Sequence, residues 1–395
     1  MSNNTESTDY GSWRLNKPAA LALVVSAVGI ASRFFIVREH RLDAGSGYSL
    51  LSDSVVLALA VAVLSLLATV AASYRGGVTP RKTGLVVAGV GLVFLPWLVA
   101  GVSGAAILAE QDLELGRIAP AAGFWFLTLA GVILLSEGLR DIQGWLPALV
   151  VTAVAGGITA LFAFGLLEDI AFIREFRVRE DRFAGELVSH VRIAASAVGL
   201  AVVVGVPGGV AAYRYQRIRK PVFSLVNGLQ TIPSLALFGL MIAPLAFLSQ
   251  RFPLLRQMGI RGVGNAPAII ALFLYSLLPI LRNTYTSLSV MDPAVIDAGR
   301  GMGMTRRQLL RMVEVPIALP IILSGVRVAS VQTIGNTTVA ALIGAGGLGN
   351  FVFQGLGQAA PDLIITGVIP IVLLAIVVDR FYGFLIYHIV PGVRA

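Results

Sequence analysis

The sequence predicts an all-α, polytopic helical membrane protein. Hydrophobic residues make up 56% of the 395 and charged residues only 13%, about half the charged share of a soluble domain. Apolar runs of about 20 residues, long enough to cross a bilayer as helices, recur along the chain. None of them alternates apolar and polar residues as the strands of a membrane barrel do.

About ten runs qualify as spans. The first five are 18–37, 54–73, 84–109, 120–136 and 145–167, and the next five are 191–213, 221–248, 266–288, 317–345 and 363–387. Arg14 and Lys17 before the first run would suit a cleavable signal peptide. However, the run continues past Arg33 with no small-residue cleavage site behind it. The first five spans, within residues 1–168, are Leu, Ala, Val and Gly with little motif, and read as a helical scaffold. A polar stretch, 169–190, separates them from the second half and reads as an extracytoplasmic connector. On the sixth span Gly205 and Gly209 form a GxxxG pattern that lets helices approach closely. An N-terminus in the cytoplasm puts all three lysines, Lys17, Lys82 and Lys220, on the inside.

Between the eighth and ninth spans lies the stretch 291–316, MDPAVIDAGRGMGMTRRQLLRMVEVP. It reads as two short helices. Asp292 caps the first, with Pro293 at its first position, and Gly301 and Gly303 stop it. Thr305 and Gln308 make a capping box for the second. Leu309, Met312, Val313 and Pro316 are expected on one face of that helix, with Arg306, Arg307 and Arg311 elsewhere. Pro316 and Pro320 are expected to end or kink it. Such a segment is a shelf with a docking surface rather than slack loop.

Asp297-Ala298-Gly299, three residues, Gly303, nine residues, then Val313-Glu314-Val315-Pro316 resembles the EAA loop of ATP-binding-cassette importer permeases. Asp297 stands where that pattern has glutamate, and Gly299 where it has its second alanine. In the first helix Gly299 is expected to cost about 1 kcal/mol against alanine. LQTIPSLALFG from Leu229, LYSLLPILRNTYTSL from Leu274 and GAGGLGNFVFQGL from Gly344 resemble permeases of the glycine betaine, choline and osmoprotectant group.

The resemblance covers residues 187–390 and implies that the last five spans form a type I ABC importer permease core. It implies that the loop 291–316 couples to a cytoplasmic ATPase through Asp297, Ala298, Gly299, Gly303, Thr305, Arg306, Val313, Val315 and Pro316. It further implies a separate extracytoplasmic substrate-binding protein, a second permease copy or a related permease, and a place in the bacterial inner membrane. No cofactor is expected on this chain. ATP and Mg belong to the partner ATPase, since the chain has no Walker phosphate loop. An amino-acid permease and a cation-coupled secondary transporter remain the alternatives.

Other signals are weighed against this reading. Gly344, Gly346 and Gly349 spell GxGxxG, but they follow an apolar run rather than a strand, so no dinucleotide is expected. With Gly347 they read as a glycine turn at the outer mouth. There is no acid from Leu187 to Met291 or from Val315 to Pro361. The spans are therefore expected to lack an acidic relay of the kind proton-driven carriers use. Gln230, Thr231, Gln332, Asn336, Thr337 and Thr338 are the uncharged polar groups expected to line a path. Arg327, the lone charge of its span, is expected to snorkel. His40, His190 and His388 read as solvated or interfacial. With no cysteine, no histidine beside a serine in the spans and no metal motif, neither hydrolase chemistry nor a metal site is expected.

Overall fold

The computed structural model describes residues 16–40, 43–50, 61, 65, 68, 78–113, 115–140, 142, 145–257 and 259–389. The chain divides into two units, Met1–Val178 and Arg179–Ala395. Among the described residues, seven helices are long and apolar enough to cross a membrane, two in the first unit and five in the second. The expected span 54–73 lies almost wholly outside the described residues.

The first unit opens with α1 (Lys17–Ala31), capped by the Asn16 side chain on the Ala19 amide at 3.2 Å. It is 15 residues long, about 22 Å, and shorter than the run from which a span was expected. After Ser32 the aromatic and β-branched sequence RFFIVR turns to β1 (Arg33–Arg38), since such residues favour the pleated backbone. β2 (Ser46–Ser49) and β3 (Arg117–Pro120) pair antiparallel on either side of it, a small sheet that the apolar periodicity did not announce. Further helices described in this unit include α2 (Val78–Glu110), α3 (Ala122–Gly138), α4 (Leu146–Ala163) and α5 (Ala171–Val178). Trp97 meets Phe124 edge-on at 5.3 Å and Phe172 at 6.0 Å, an aromatic centre beneath the sheet. Arg117 and Glu175 pair at 2.9 Å, with Glu175 buried.

The second unit begins on α6 (Glu180–Arg214). At 35 residues it absorbs much of the expected polar connector as regular helix, with Glu180 and Asp181 in its first turn. Then come α7 (Gln216–Thr231), α8 (Ser234–Arg251), α9 (Pro253–Gln257) and α10 (Asn265–Ser289). One span was expected over 221–248, but the chain breaks there. Pro233 drives Ile232 into an extended conformation. The break and α10 serve each other, since Pro279 leaves the Tyr275 carbonyl of α10 without its helical N–H. The Tyr275 hydroxyl donates to the Ile232 carbonyl, and the Gln230 amide donates to the Tyr275 carbonyl at 2.8 Å. The chain continues through α11 (Pro293–Gly301) and α12 (Arg306–Leu309). α13 (Val315–Ala340), α14 (Gly349–Gly357) and α15 (Pro361–Ile389) complete it.

α10 is the central post of the second unit, with Ala268, Ala271, Leu272 and Ile280 fully buried. α6 lies against it through the GxxxG pair. A Cβ on Gly205 would sit 3.0 Å from Ile280, and one on Gly209 2.6 Å from Thr284 Cβ and 2.9 Å from the Leu281 carbonyl oxygen. α13 packs on the other flank, where the Ser276 and Thr333 hydroxyls meet at 2.7 Å. Gly209→Val is therefore expected to force α6 off α10 and destabilise the detergent-solubilised chain by about 1–3 kcal/mol. Gly199, which has open space around it, should accept alanine without loss. Thermal melting of the two variants checks this, and equal melting would show that the close approach is not needed.

Candidate functional site

The shelf 291–316 is built from local rules. Asp292 accepts the Ala294 amide at 2.9 Å and Pro293 opens α11. The helix ends at Gly303, whose φ of +77° is the left-handed conformation a side chain resists. The Gly303 amide donates to Arg300 O at 2.9 Å and the Met304 amide to Gly299 O at 3.2 Å, the crossed pair of a Schellman turn. Thr305 and Gln308 form the capping box of α12 in both directions, at 3.3 and 2.8 Å.

Gly299 is where the two short helices touch. It is buried, and a Cβ there would lie 2.5 Å from Leu309 Cδ1. The expected loosening by this glycine is thus only half the account. Its helix cost of about 1 kcal/mol is set against burial of the Leu309 side chain, 4% exposed and worth about 1.5–3 kcal/mol. Alanine at 299 would displace Leu309. The outer surface of the shelf carries Val295, Ala298, Met302 and Met312 together with Arg306, Arg307 and Arg311, all exposed. Asp297 and Arg300 pair at 3.3 Å on that surface.

At the end of the shelf Pro316 does not end the helix, and the expected stripe is turned, for one reason. Leu310–Glu314 is a π-helical turn, with the Val315 amide reaching back five residues to Leu310 O. Pro316 falls in the first turn of α13, where its missing N–H costs little, so α12 runs on into α13 without a break. The wide turn also shifts the helix phase. Leu309 and Glu314, five residues apart, both point inward, whereas an α-helix would set them about 140° apart. Met312 and Pro316, expected on the buried stripe, are exposed, and Val313 is half-buried. Arg214, at the end of α6, comes within 3.7 Å of Glu314 and donates to Arg306 O at 3.4 Å.

The polar groups expected to line a path do not share one face. Thr337 is fully buried and donates to Thr333 O at 2.7 Å. Gln332 and Asn336, one turn apart, lie on a more open face, Gln332 exposed and Asn336 half-buried. Thr338, half-buried, follows Thr337 around the helix. Gln230 is engaged with Tyr275, and Thr231 donates to Gly228 O at 2.7 Å.

Arg327 is not a lone charge. Its Nε and Nη2 meet the Asp379 carboxylate on α15 at 2.5 and 2.6 Å. Asp379 also corrects the expectation that the spans lack an acid. Both oxygens of that carboxylate are taken up by the bidentate guanidinium, so it is not free to pass a proton along a path.

At the other end of α13 the chain turns on glycines. Gly344, Gly346 and Gly347 take φ of +77°, +79° and +88°. Gly349 opens α14, so close to α13 that a Cβ there would lie 2.0 Å from the Thr338 carbonyl oxygen. Glu186 of α6 holds this turn, accepting the Gly347 amide and the Asn350 side chain at 2.7 Å each. His190, expected to be solvated, is fully buried beside it, with Nε2 3.0 Å from Ile334 O.

Sequence reasoning missed Glu186, His190, Arg214, Glu314 and Asp379. One signal was available for Glu314, a lone acid between the valines of an otherwise apolar motif.

Comparison with known proteins gives four findings. Residues 200–395 match the family described as binding-protein-dependent transport system inner membrane component, and residues 14–173 match the N-terminal domain of the ABC transporter permease YehY. The chain is 48% identical over 200 residues to the osmoprotectant import permease protein OsmW of Salmonella typhimurium, covering 88% of that protein and 50% of this chain. It is 43% identical over 199 residues to the glycine betaine/carnitine/choline transport system permease protein OpuCB of Bacillus subtilis, covering 84% of it and 49% of this chain.

Thr305→Ala removes the shelf's capping box, at a cost of about 1 kcal/mol. Amide hydrogen exchange over 305–309 should rise roughly fivefold, with α13 unchanged. Equal exchange in the two proteins would show that the box does not hold the shelf.

Proposed function

The chain belongs to the family of binding-protein-dependent transport system inner membrane components, and we propose that it carries glycine betaine, choline or a related osmoprotectant. It is a permease subunit of an ABC importer. The observation that carries the mechanism is the shelf: two capped helices, folded on each other through Gly299, the second of which runs unbroken into α13. A partner bound to the shelf can move α13 directly, because no flexible joint intervenes.

In this reading the shelf faces the cytoplasm, the N-terminus lies on the same side, and an ABC ATPase docks on the shelf. Asp297, Ala298, Gly303, Thr305, Arg306 and Met312 would contact it, while Gly299, Val313, Val315 and Pro316 set the shelf's shape. Methionines adapt to a partner's contour, and the arginines offer charge complementarity at the rim. ATP and Mg are bound by that ATPase. The substrate-binding protein approaches the opposite end, where Gly344, Gly346, Gly347 and Gly349 turn. A second permease, identical or related, completes the path. Gln332 and Asn336 are the side chains on this chain best placed to line it. An uncharged polar lining suits a zwitterion or a diffuse cation, which needs hydration replaced without being held tightly.

Proteoliposomes holding this chain, its ATPase and its binding protein should take up labelled glycine betaine only with ATP, and should continue after ion gradients are collapsed. Uptake driven by a gradient without the ATPase would overturn the reading in favour of a carrier. Binding of an amino acid, and not a quaternary amine, to the cognate binding protein in calorimetry would overturn the substrate. Gly303→Val strains the left-handed position by about 1–2 kcal/mol and should abolish uptake at an unchanged membrane level. Normal uptake in that variant would argue against the shelf as the coupling element.

A further inference from the structure

Of the shelf's three carboxylates, Asp292 and Asp297 are exposed and Glu314 is buried. A buried carboxylate is costly unless it is paired. Oε2 of Glu314 has no hydrogen-bond partner. The cation facing it is Arg214, with Nη2 3.7 Å away. That is too long for a hydrogen bond, so the two attract as charges without sharing a proton. The same Nη2 donates to Arg306 O, at 3.4 Å. One guanidinium thus touches both the start of α12 and the end of the π-turn.

The placement is specific. Arg214 is the last residue of α6 and Glu314 the last of the π-turn. Had the segment stayed α-helical, Glu314 would have turned about 140° from the inward position of Leu309. The unusual turn is what presents this carboxylate to α6, and π-turns of this kind occur often at functional sites. Beside the pair, Val206, Val210 and Tyr213 of α6 pack on Leu288, Ala318 and Ile322. Covalent continuity links the shelf to α13; α6 packs on α13 through apolar side chains, and Arg214 adds a polar link from α6 to the shelf itself.

We propose that Arg214 and Glu314 are positioning residues for the coupling step. They tie the shelf to α6 as well as α13, so that a push on the shelf moves two spans together. This rests on the reading of the shelf as the ATPase-coupling element. Without the tie, the shelf would still bind the ATPase and α13 would still be pushed, but α6 would be carried only by its apolar packing on α13 and would follow less fully. ATP would then be hydrolysed with less substrate carried.

The test is the number of ATP molecules hydrolysed per glycine betaine taken up by the reconstituted importer. Glu314→Gln and Arg214→Gln should each raise that ratio at least about threefold, with the ATPase still co-purifying. The double variant should be no worse than either single one, because the two act as one unit. Arg214→Lys, which keeps the charge, should restore most of the coupling. An unchanged ratio, or uptake and hydrolysis falling in parallel, overturns the tie. A wild-type importer with no ATP-dependent uptake instead overturns the coupling reading on which it rests.

Should a glutamine variant fail to reach the membrane, spin labels on cysteines at Val204 of α6 and Ala294 of the shelf, both exposed, read the tie directly, since the chain has no other cysteine. The distance between them should stay fixed between nucleotide-free and ATP-bound states. A change as large as one helical turn, about 5 Å, overturns the proposal.

Discussion

Inside a hydrocarbon layer the backbone has no water to bond to, so each polar group that a proline or glycine frees must find a partner within the protein. That constraint shapes the second unit. Where Pro233 breaks the helix, the Tyr275 hydroxyl reaches the Ile232 carbonyl, and Gln230 in return bonds the Tyr275 carbonyl that Pro279 leaves free. Ahead of Pro316 the chain widens into a π-turn and keeps its hydrogen bonding from α12 into α13. At the glycine turn a carboxylate from α6 takes the Gly347 amide. Each interruption is therefore also a tether between helices far apart in sequence.

The tethers give the shelf its mechanical character. Its two helices are fixed against each other by the absence of a side chain at Gly299 and the presence of one at Leu309. Its far end is fused to a span. The exposed methionines and arginines therefore ride on a fixed segment, as the proposed docking of a partner there requires.

How much of this the sequence disclosed follows from the range of each interaction. Caps, the Schellman glycine and the capping box depend on residues within about six positions, and they were legible. So were the long apolar runs and the GxxxG contact. The π-turn was not, because one added residue per turn rotates everything after it. The stripe drawn through Met312 and Pro316 therefore pointed the wrong way. The Arg327–Asp379 pair joins residues 52 positions apart, and Glu186 reaches Gly347 across 161; no local pattern foretells either. The strand after α1 was hidden because Phe-Phe-Ile-Val is as apolar as a span, and only its β preference distinguishes it.

α6 is 35 residues long, about 52 Å, against a hydrocarbon thickness of about 30 Å. Its opening turns carry Glu180, Asp181, Arg182 and Glu186, and its last residue is Arg214. Such a post cannot shorten to suit its surroundings without dragging charge into oil. Hydrophobic mismatch in thicker or thinner lipid must be met by leaning, and since Glu186 and Arg214 sit near its opposite ends, any lean is felt at the glycine turn and the shelf together.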